Sequence, residues 1–188
     1  MRLLLATRNE HKLREFAELL APHELEPLPA GIESPPETGA TFADNALLKA
    51  SAAAAATGRV AIADDSGIEA EALGGKPGVR SARYAGEDAS DAENLDKLLR
   101  EAPAGSGLTY VCVLAYVDPA TGAERLFRGT CHGRLAERPR GAGGFGYDPA
   151  FEPDDGPPGM TMAELSSDEK NAISHRGRAA RMLLAWLQ

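Results

Sequence analysis

Asp64 and Asp65 stand side by side directly after the apolar run Val60-Ala61-Ile62-Ala63. Carboxylates at the C-terminal end of a buried strand lie in the usual ligand crevice of an open α/β sheet. Side chains alternate along a strand, so at most one of the pair need face a given crevice. There it can hold Mg²⁺ or take a proton from water, and its charged neighbour raises one of the two pKa values. The bland alternative for Asp64-Asp65-Ser66-Gly67 is an exposed turn.

Four further stretches carry side chains of useful type. Thr7-Arg8-Asn9-Glu10-His11-Lys12 sits where a strand hands over to a helix, with Asn9 placed to cap it and Lys12 in the first turn. Free amides and the positive dipole end make such a terminus an anion site. A lysine there opposes the dipole unless an anion offsets it. Glu37-Thr38-Gly39-Ala40-Thr41-Phe42 runs into Asn45 and Lys49, four apart and therefore on one helical face, which a solvated stripe would also explain. Gly143-Gly144-Phe145-Gly146-Tyr147-Asp148-Pro149 combines close backbone approach with a ring for stacking on a flat base; a tight turn with an aromatic plug fits it equally. Lys170 and Ser174 share a face of the closing helix, and with His175-Arg176 they offer donors able to read a nucleobase edge, or simply a charged helix end.

The elements that must position these groups can be read from periodicity and punctuation. Arg2 to Ala6 is a short strand, and Leu13, Phe16, Ala17 and Leu20 mark a helix that Pro22 ends. His23 to Leu28 returns as a strand, and Pro29 to Gly39 is a loop. Thr41, with Asp44 three residues on, opens a helix through Ala56, and Gly58 follows its end. The strand from Val60 stops at Asp64. A Gly/Pro-rich loop from Gly74 to Gly86 precedes a polar helix from Asp91 to Glu101. Leu108 to Val117 and Glu124 to His132 form a hairpin around Asp118 to Gly122, with a further strand expected at Arg134 to Glu137. The closing helix starts at the capping-box pair Ser166 and Glu169, and Met182, Leu183, Trp186 and Leu187 make its late apolar face. Strand–helix alternation followed by a hairpin predicts an α/β fold: a mixed sheet with flanking helices. No internal repeat or linker divides residues 1–188, which read as a single domain.

Composition narrows the partners. A net charge of −8 argues against a nucleic-acid or anionic-membrane binder, because such affinity comes from clustered positive charge. Yet three of the five lysines (Lys12, Lys49 and Lys170) fall inside the motifs. No apolar run reaches the roughly 20 residues needed to span a bilayer. Cys112 and Cys131 show no metal-ligand spacing and read as buried free thiols of a reducing, cytoplasmic protein. A basic helix terminus, acidic residues, a glycine–aromatic platform and a donor cluster together suit a Mg²⁺-bound nucleoside triphosphate.

The order of these blocks resembles the inosine triphosphate pyrophosphatase family in its bacterial XTP/dITP diphosphatase form. The resemblance runs through Thr7-x-Asn9-x-x-Lys12, Glu37 to Lys49, Ala63 to Gly67, Pro77 to Tyr84, Gly143 to Pro149, and Lys170 with Ser174-His175-Arg176. It implies hydrolysis of ITP, dITP and XTP to the monophosphate and pyrophosphate with Mg²⁺. It also implies an elongated two-lobed domain with a central substrate cleft, and a homodimer. Carried over, Thr7, Arg8, Asn9, Glu10, His11 and Lys12 would hold the triphosphate. Asp65 would activate water and contact metal, with Glu37 the second metal ligand. Ser66 would touch substrate, Phe145, Gly146, Tyr147 and Asp148 would line the base pocket, and Lys170, His175 and Arg176 would complete recognition. The competing expectations are a nucleotide-binding sensor without turnover and a pyrophosphatase for modified pyrimidine nucleotides.

Overall fold

The computed structural model describes all 188 residues. Its elements follow the order β1 (Arg2–Leu5), α1 (Glu10–Leu19), β2 (Glu24–Pro27), α2 (Phe42–Thr57), β3 (Ala61–Ala70), α3 (Asp91–Glu101), β4 (Gly107–Asp118), β5 (Ala123–Leu135), β6 (Phe151–Pro153), α4 (Ser167–Ile173) and α5 (His175–Leu187). The strands form one sheet in the order β2-β1-β3-β4-β5-β6. β1 pairs parallel with both β2 and β3, while β6 pairs antiparallel with β5, so the sheet is mixed as expected. Residue contacts divide the chain into two compact units. Unit 1 comprises Met1–Asp65, Cys112–Gly129 and Arg178–Gln188; unit 2 comprises Ser66–Val111 and Thr130–Gly177.

In unit 1 the chain leaves β1 toward β2 on one side and returns to β3 on the other. With right-handed crossovers, that reversal puts α1 and α2 on opposite faces of the sheet and makes the gap between β1 and β3 a topological switch point. Leu3, Leu5, Ile62, Cys112, Leu114 and Tyr116 share a core with Phe16 and Leu20 of α1 and with Ala179, Ala180 and Leu183 of α5. α2 buries Phe42, Asn45, Ala46, Lys49, Ala50, Ala53 and Ala54, a stripe at the 3-4 spacing of one helical face. Its start and end follow the sequence signals: Thr41 and Asp44 form a reciprocal capping box, and Gly58 closes the helix at φ 66°.

Unit 2 packs Ile68 and Ala70 of β3, Leu95 and Leu98 of α3, and Leu108 and Tyr110 of β4 against Cys131, Leu135, Tyr147, Phe151, Met162 and Leu165. The expected strand at Arg134 to Glu137 is not separate, because β5 runs on to Leu135. β6, only three residues long, had no readable alternation; it pairs with Gly133, where a side chain would strike the Glu152 carbonyl.

Three further expectations are corrected. β3 does not stop at Asp64 but continues to Ala70, so Asp64-Asp65-Ser66-Gly67 is extended and largely buried rather than a turn. Burial is tolerable because both carboxylates meet cationic partners in the fold. The closing helix is two helices: Ser174 adopts extended φ −65° and ψ 156°, and its hydroxyl accepts from the Gly177 amide, capping α5. Lys170 and Ser174 therefore do not share a continuous helical face. On α5 the buried apolar side chains are Ala179, Ala180 and Leu183, while Met182 and Trp186 are 50% and 41% exposed. The small alanines lie against the sheet and push the larger side chains to the flank. There Trp186 meets Tyr116 edge-on at 4.9 Å.

Candidate active site

Strand alternation separates the two adjacent aspartates. Asp64 follows Ile62 in parity and faces α1; Asp65 follows Ala61 and Ala63 and faces α2. Lys12 of α1 reaches Asp64 at 2.8 Å, with the carboxylate fully buried. Asn9 caps α1 by accepting from the His11 and Lys12 amides at 2.9 and 3.2 Å. Thr7 in turn accepts from the Asn9 amide at 3.2 Å. The anion opposite Lys12 at this terminus is thus a carboxylate of the protein. Arg8 donates to the Ile32 carbonyl at 2.7 Å, and Glu10 and His11 lie exposed in the first turn, His11 beside Arg14.

On the other face, Asn45 donates to Asp65 Oδ2 at 3.0 Å, and Lys49 Nζ lies 3.5 Å from Asp65 Oδ1 and 2.6 Å from Glu37 Oε1. Asn45 also accepts from the Gly39 amide at 2.7 Å, tying the Glu37 loop to α2. Asn45 and Lys49 are buried, so the solvated-stripe alternative is excluded. Burial raises the Asp65 pKa above its ordinary 3.8, helped by Glu37 and opposed by Lys49, Asn45 and Lys12. For Lys49, burial would lower the pKa, but Asp64, Asp65 and Glu37 outweigh it and raise the value above 10.5. The lysine stays charged, and the aspartate becomes a better proton acceptor near neutrality.

Unit 2 gathers a second cluster. Asp148 accepts from Tyr110 at Oδ1 (3.0 Å), and at Oδ2 from Lys170 Nζ (2.7 Å) and the Phe145 amide (2.9 Å). Gly144, at φ 69°, leaves room for that carboxylate: a Cβ there would collide with Asp148 Oδ2. The half-buried Phe145 ring has Lys170 Nζ 5.2 Å and the Arg176 guanidinium 4.9 Å from its centroid. Arg176 also donates to the Ser66 hydroxyl at 2.8 Å. Tyr147 is held away from this group, its hydroxyl on the Ser81 carbonyl at 2.7 Å and its pKa raised beyond the ordinary range by burial. The Gly146 amide donates to Asp91 at 2.9 Å. His175 is buried and stacks on Tyr110 at 4.5 Å with the rings 2° from parallel.

The structure thus joins Lys12 with Asp64, and Asp65 with Glu37, in unit 1. In unit 2 it joins Phe145 with Asp148, Lys170 and Arg176, and Arg176 with Ser66. The sequence reading did not name Tyr110, and it raised Asp64 as one of an adjacent pair without giving it a role. An aromatic alternating through an apolar strand reads as core, and only the tertiary hydrogen bond to Asp148 distinguishes it.

The donor set suits a hard divalent cation. No group of three or more metal-ligating side chains converges, but Mg²⁺ is commonly held by one or two carboxylates together with substrate phosphates. Asp65 and Glu37, both oxygen donors gathered around Lys49, fit that mode.

Paired carboxylates at a switch point and an aromatic–cation cluster define a mixed α/β protein equipped for phosphate chemistry. The chain belongs to the Ham1 family, whose sequence model matches residues 3–186. It is 49% identical over 191 residues to a dITP/XTP pyrophosphatase of Yersinia pseudotuberculosis, covering 97% of this chain and 96% of the relative. It is 52% identical over 182 residues to a dITP/XTP pyrophosphatase of Symbiobacterium thermophilum, covering 95% and 90%. A solved HAM1 protein from Coxiella burnetii superposes with a TM-score of 0.88 at 40% identity, covering 100% of this chain and 98% of that one.

Proposed function

We propose that this protein hydrolyses non-standard purine nucleoside triphosphates (ITP, dITP and XTP) to the monophosphate and pyrophosphate. The observation that carries the reading is Asp65: a buried carboxylate, its pKa raised, oriented by Asn45 and flanked by the Lys49 ammonium. The names of the full-length relatives support the substrate class.

Asp65 orients a water molecule and accepts its proton as the water oxygen bonds to phosphorus. The α–β phosphoanhydride breaks, its bridging oxygen leaves with the electron pair of the broken bond, and the products are the monophosphate and pyrophosphate. Lys12 and Lys49 counter the charge that develops on the phosphates, with the amides around Asn9 and the Arg8 side chain contributing to triphosphate binding. Asp65 and Glu37 would hold Mg²⁺, which supplies charge neutralisation at the phosphate oxygens when bound. Ser66, Phe145, Asp148, Lys170, His175 and Arg176 recognise the base, with Gly146 and Tyr147 shaping the loop. Inosine and xanthine present a keto acceptor at the 6-position and adenine an amino donor, so buried donors left unpaired against adenine reject it. No helix of the chain is long and apolar enough to cross a membrane. A single-domain, homodimeric, cytoplasmic enzyme completes the proposal.

The test is to incubate the protein with Mg²⁺ and ITP, XTP, dITP, ATP or GTP, and to measure phosphate with and without inorganic pyrophosphatase. Signal dependent on the coupling enzyme, and far stronger for ITP and XTP than for ATP, is the expected outcome. Phosphate released without it means γ-cleavage and refutes the reaction.

A further inference from the structure

We propose that Tyr110 is the positioning residue for base recognition in unit 2, its hydroxyl fixing the Asp148 carboxylate and its ring fixing the plane of His175. The inference rests on the reading of that cluster as a base pocket. Asp148 is held by three donors: the Lys170 ammonium and the Phe145 amide share Oδ2, and Tyr110 alone is seen on Oδ1. A carboxylate engaged at both oxygens is fixed in rotation. Through Oδ2 its orientation reaches both the Phe145 backbone and Lys170, whose ammonium lies over the Phe145 ring. Burial and the adjacent Asp148 charge hold the Tyr110 phenol well above its ordinary pKa of 10.0, so it stays a donor.

The ring acts on the second half of the cluster. Tyr110 packs against both Phe151, tilted at 53° and 4.7 Å, and His175, parallel at 4.5 Å. Phe151 helps to hold the tyrosine ring, and the tyrosine sets the plane in which the imidazole presents its nitrogens. Hydrogen-bond discrimination between a keto and an amino group depends on donor direction as well as donor identity. A residue that touches no substrate can therefore set specificity by fixing those directions.

The experiment measures kcat and KM for ITP and ATP, together with Tm, for the parent, Tyr110→Phe and Tyr110→Leu. The phenylalanine variant keeps the stack and loses the bond to Asp148. We expect its ITP-over-ATP ratio of kcat/KM to fall about tenfold, as expected for a hydrogen bond to a charged group, with the loss carried more by KM than by kcat. The leucine variant removes the stack as well and should lower the ratio further. A lowered Tm with the parental ratio in Tyr110→Phe overturns the inference and leaves Tyr110 as core packing; that variant decides alone if the leucine form does not fold. A parent that does not convert ITP overturns the functional reading and this inference with it.

Discussion

Lys12 and Asp64 form an ion pair of 2.8 Å in which the carboxylate is fully buried and the lysine side chain is 15% exposed. Breaking such a pair on one side strands a charge. Lys12→Met should therefore destabilise the protein by about 3 kcal/mol, whereas Lys12→Met with Asp64→Leu should recover much of that loss. Thermal denaturation of the two variants beside Asp64→Leu alone checks it. Equal losses for the single lysine variant and the double variant would show that the charge is not what the lysine compensates.

Asp65 illustrates the opposite relation between stability and activity. Its folded pKa is raised by burial, so the fold holds the ionised form less well than the unfolded chain does. The stability it contributes is complete below its unfolded value of 3.8 and is lost as pH rises through the folded value. Asp65→Asn does not titrate in that window, so its Tm relative to the parent should climb across it and then level off. At neutral pH the variant should be no less stable than the parent, while kcat falls by about a thousandfold, the scale of general-base loss. Melting curves and turnover across about pH 3 to 8 read both.

Glu37 is bound to Lys49 at 2.6 Å and proposed as a metal ligand. Glu37→Gln keeps the shape and removes the charge. The Mg²⁺ concentration for half-maximal turnover should rise about tenfold, the lower end of what losing a metal-site partner costs. Chelation with EDTA should abolish turnover in both proteins, and added Mg²⁺ should restore it. A variant with an unshifted Mg²⁺ dependence removes Glu37 from that role.

Gly144 tests the loop under Asp148. At φ 69°, and with Asp148 Oδ2 where a Cβ would sit, Gly144→Ala must displace either the loop or the carboxylate. The conformational cost alone is about 1–2 kcal/mol. Weaker binding of ITP by calorimetry, out of proportion to any change in kcat, is expected. Unchanged affinity would mean that the loop does not bear on the base.

Much of this arrangement was legible because it is local. Asn9, Thr41 and Ser166 act as the helix caps expected of them, and α3 spans the Asp91–Glu101 segment that its pattern indicated. What escaped is tertiary. Asp64-Asp65 looked like the end of a strand because polar residues usually leave the core; their partners, Lys12, Asn45 and Lys49, lie 16 to 52 positions away in sequence. The break at Ser174 was hidden because serine is unremarkable within a helix until its hydroxyl is seen capping the next one. Tyr110 was indistinguishable from core until Asp148 was placed beside it.

The route of α5 bears on how the protein is made. Its first residues, His175 to Gly177, belong to unit 2, while Ala179, Ala180 and Leu183 complete the core of unit 1 around Leu3, Leu5 and Phe16. Leu3, Leu5 and Phe16 thus wait for partners that are synthesised long after them. Domains usually fold in order as they leave the ribosome. Here neither unit can finish before synthesis has passed Gly177, and unit 1 must wait through Leu183. The nascent chain therefore carries the unit 1 core unfinished until α5 is made, and chaperone binding during translation should persist until α5 emerges.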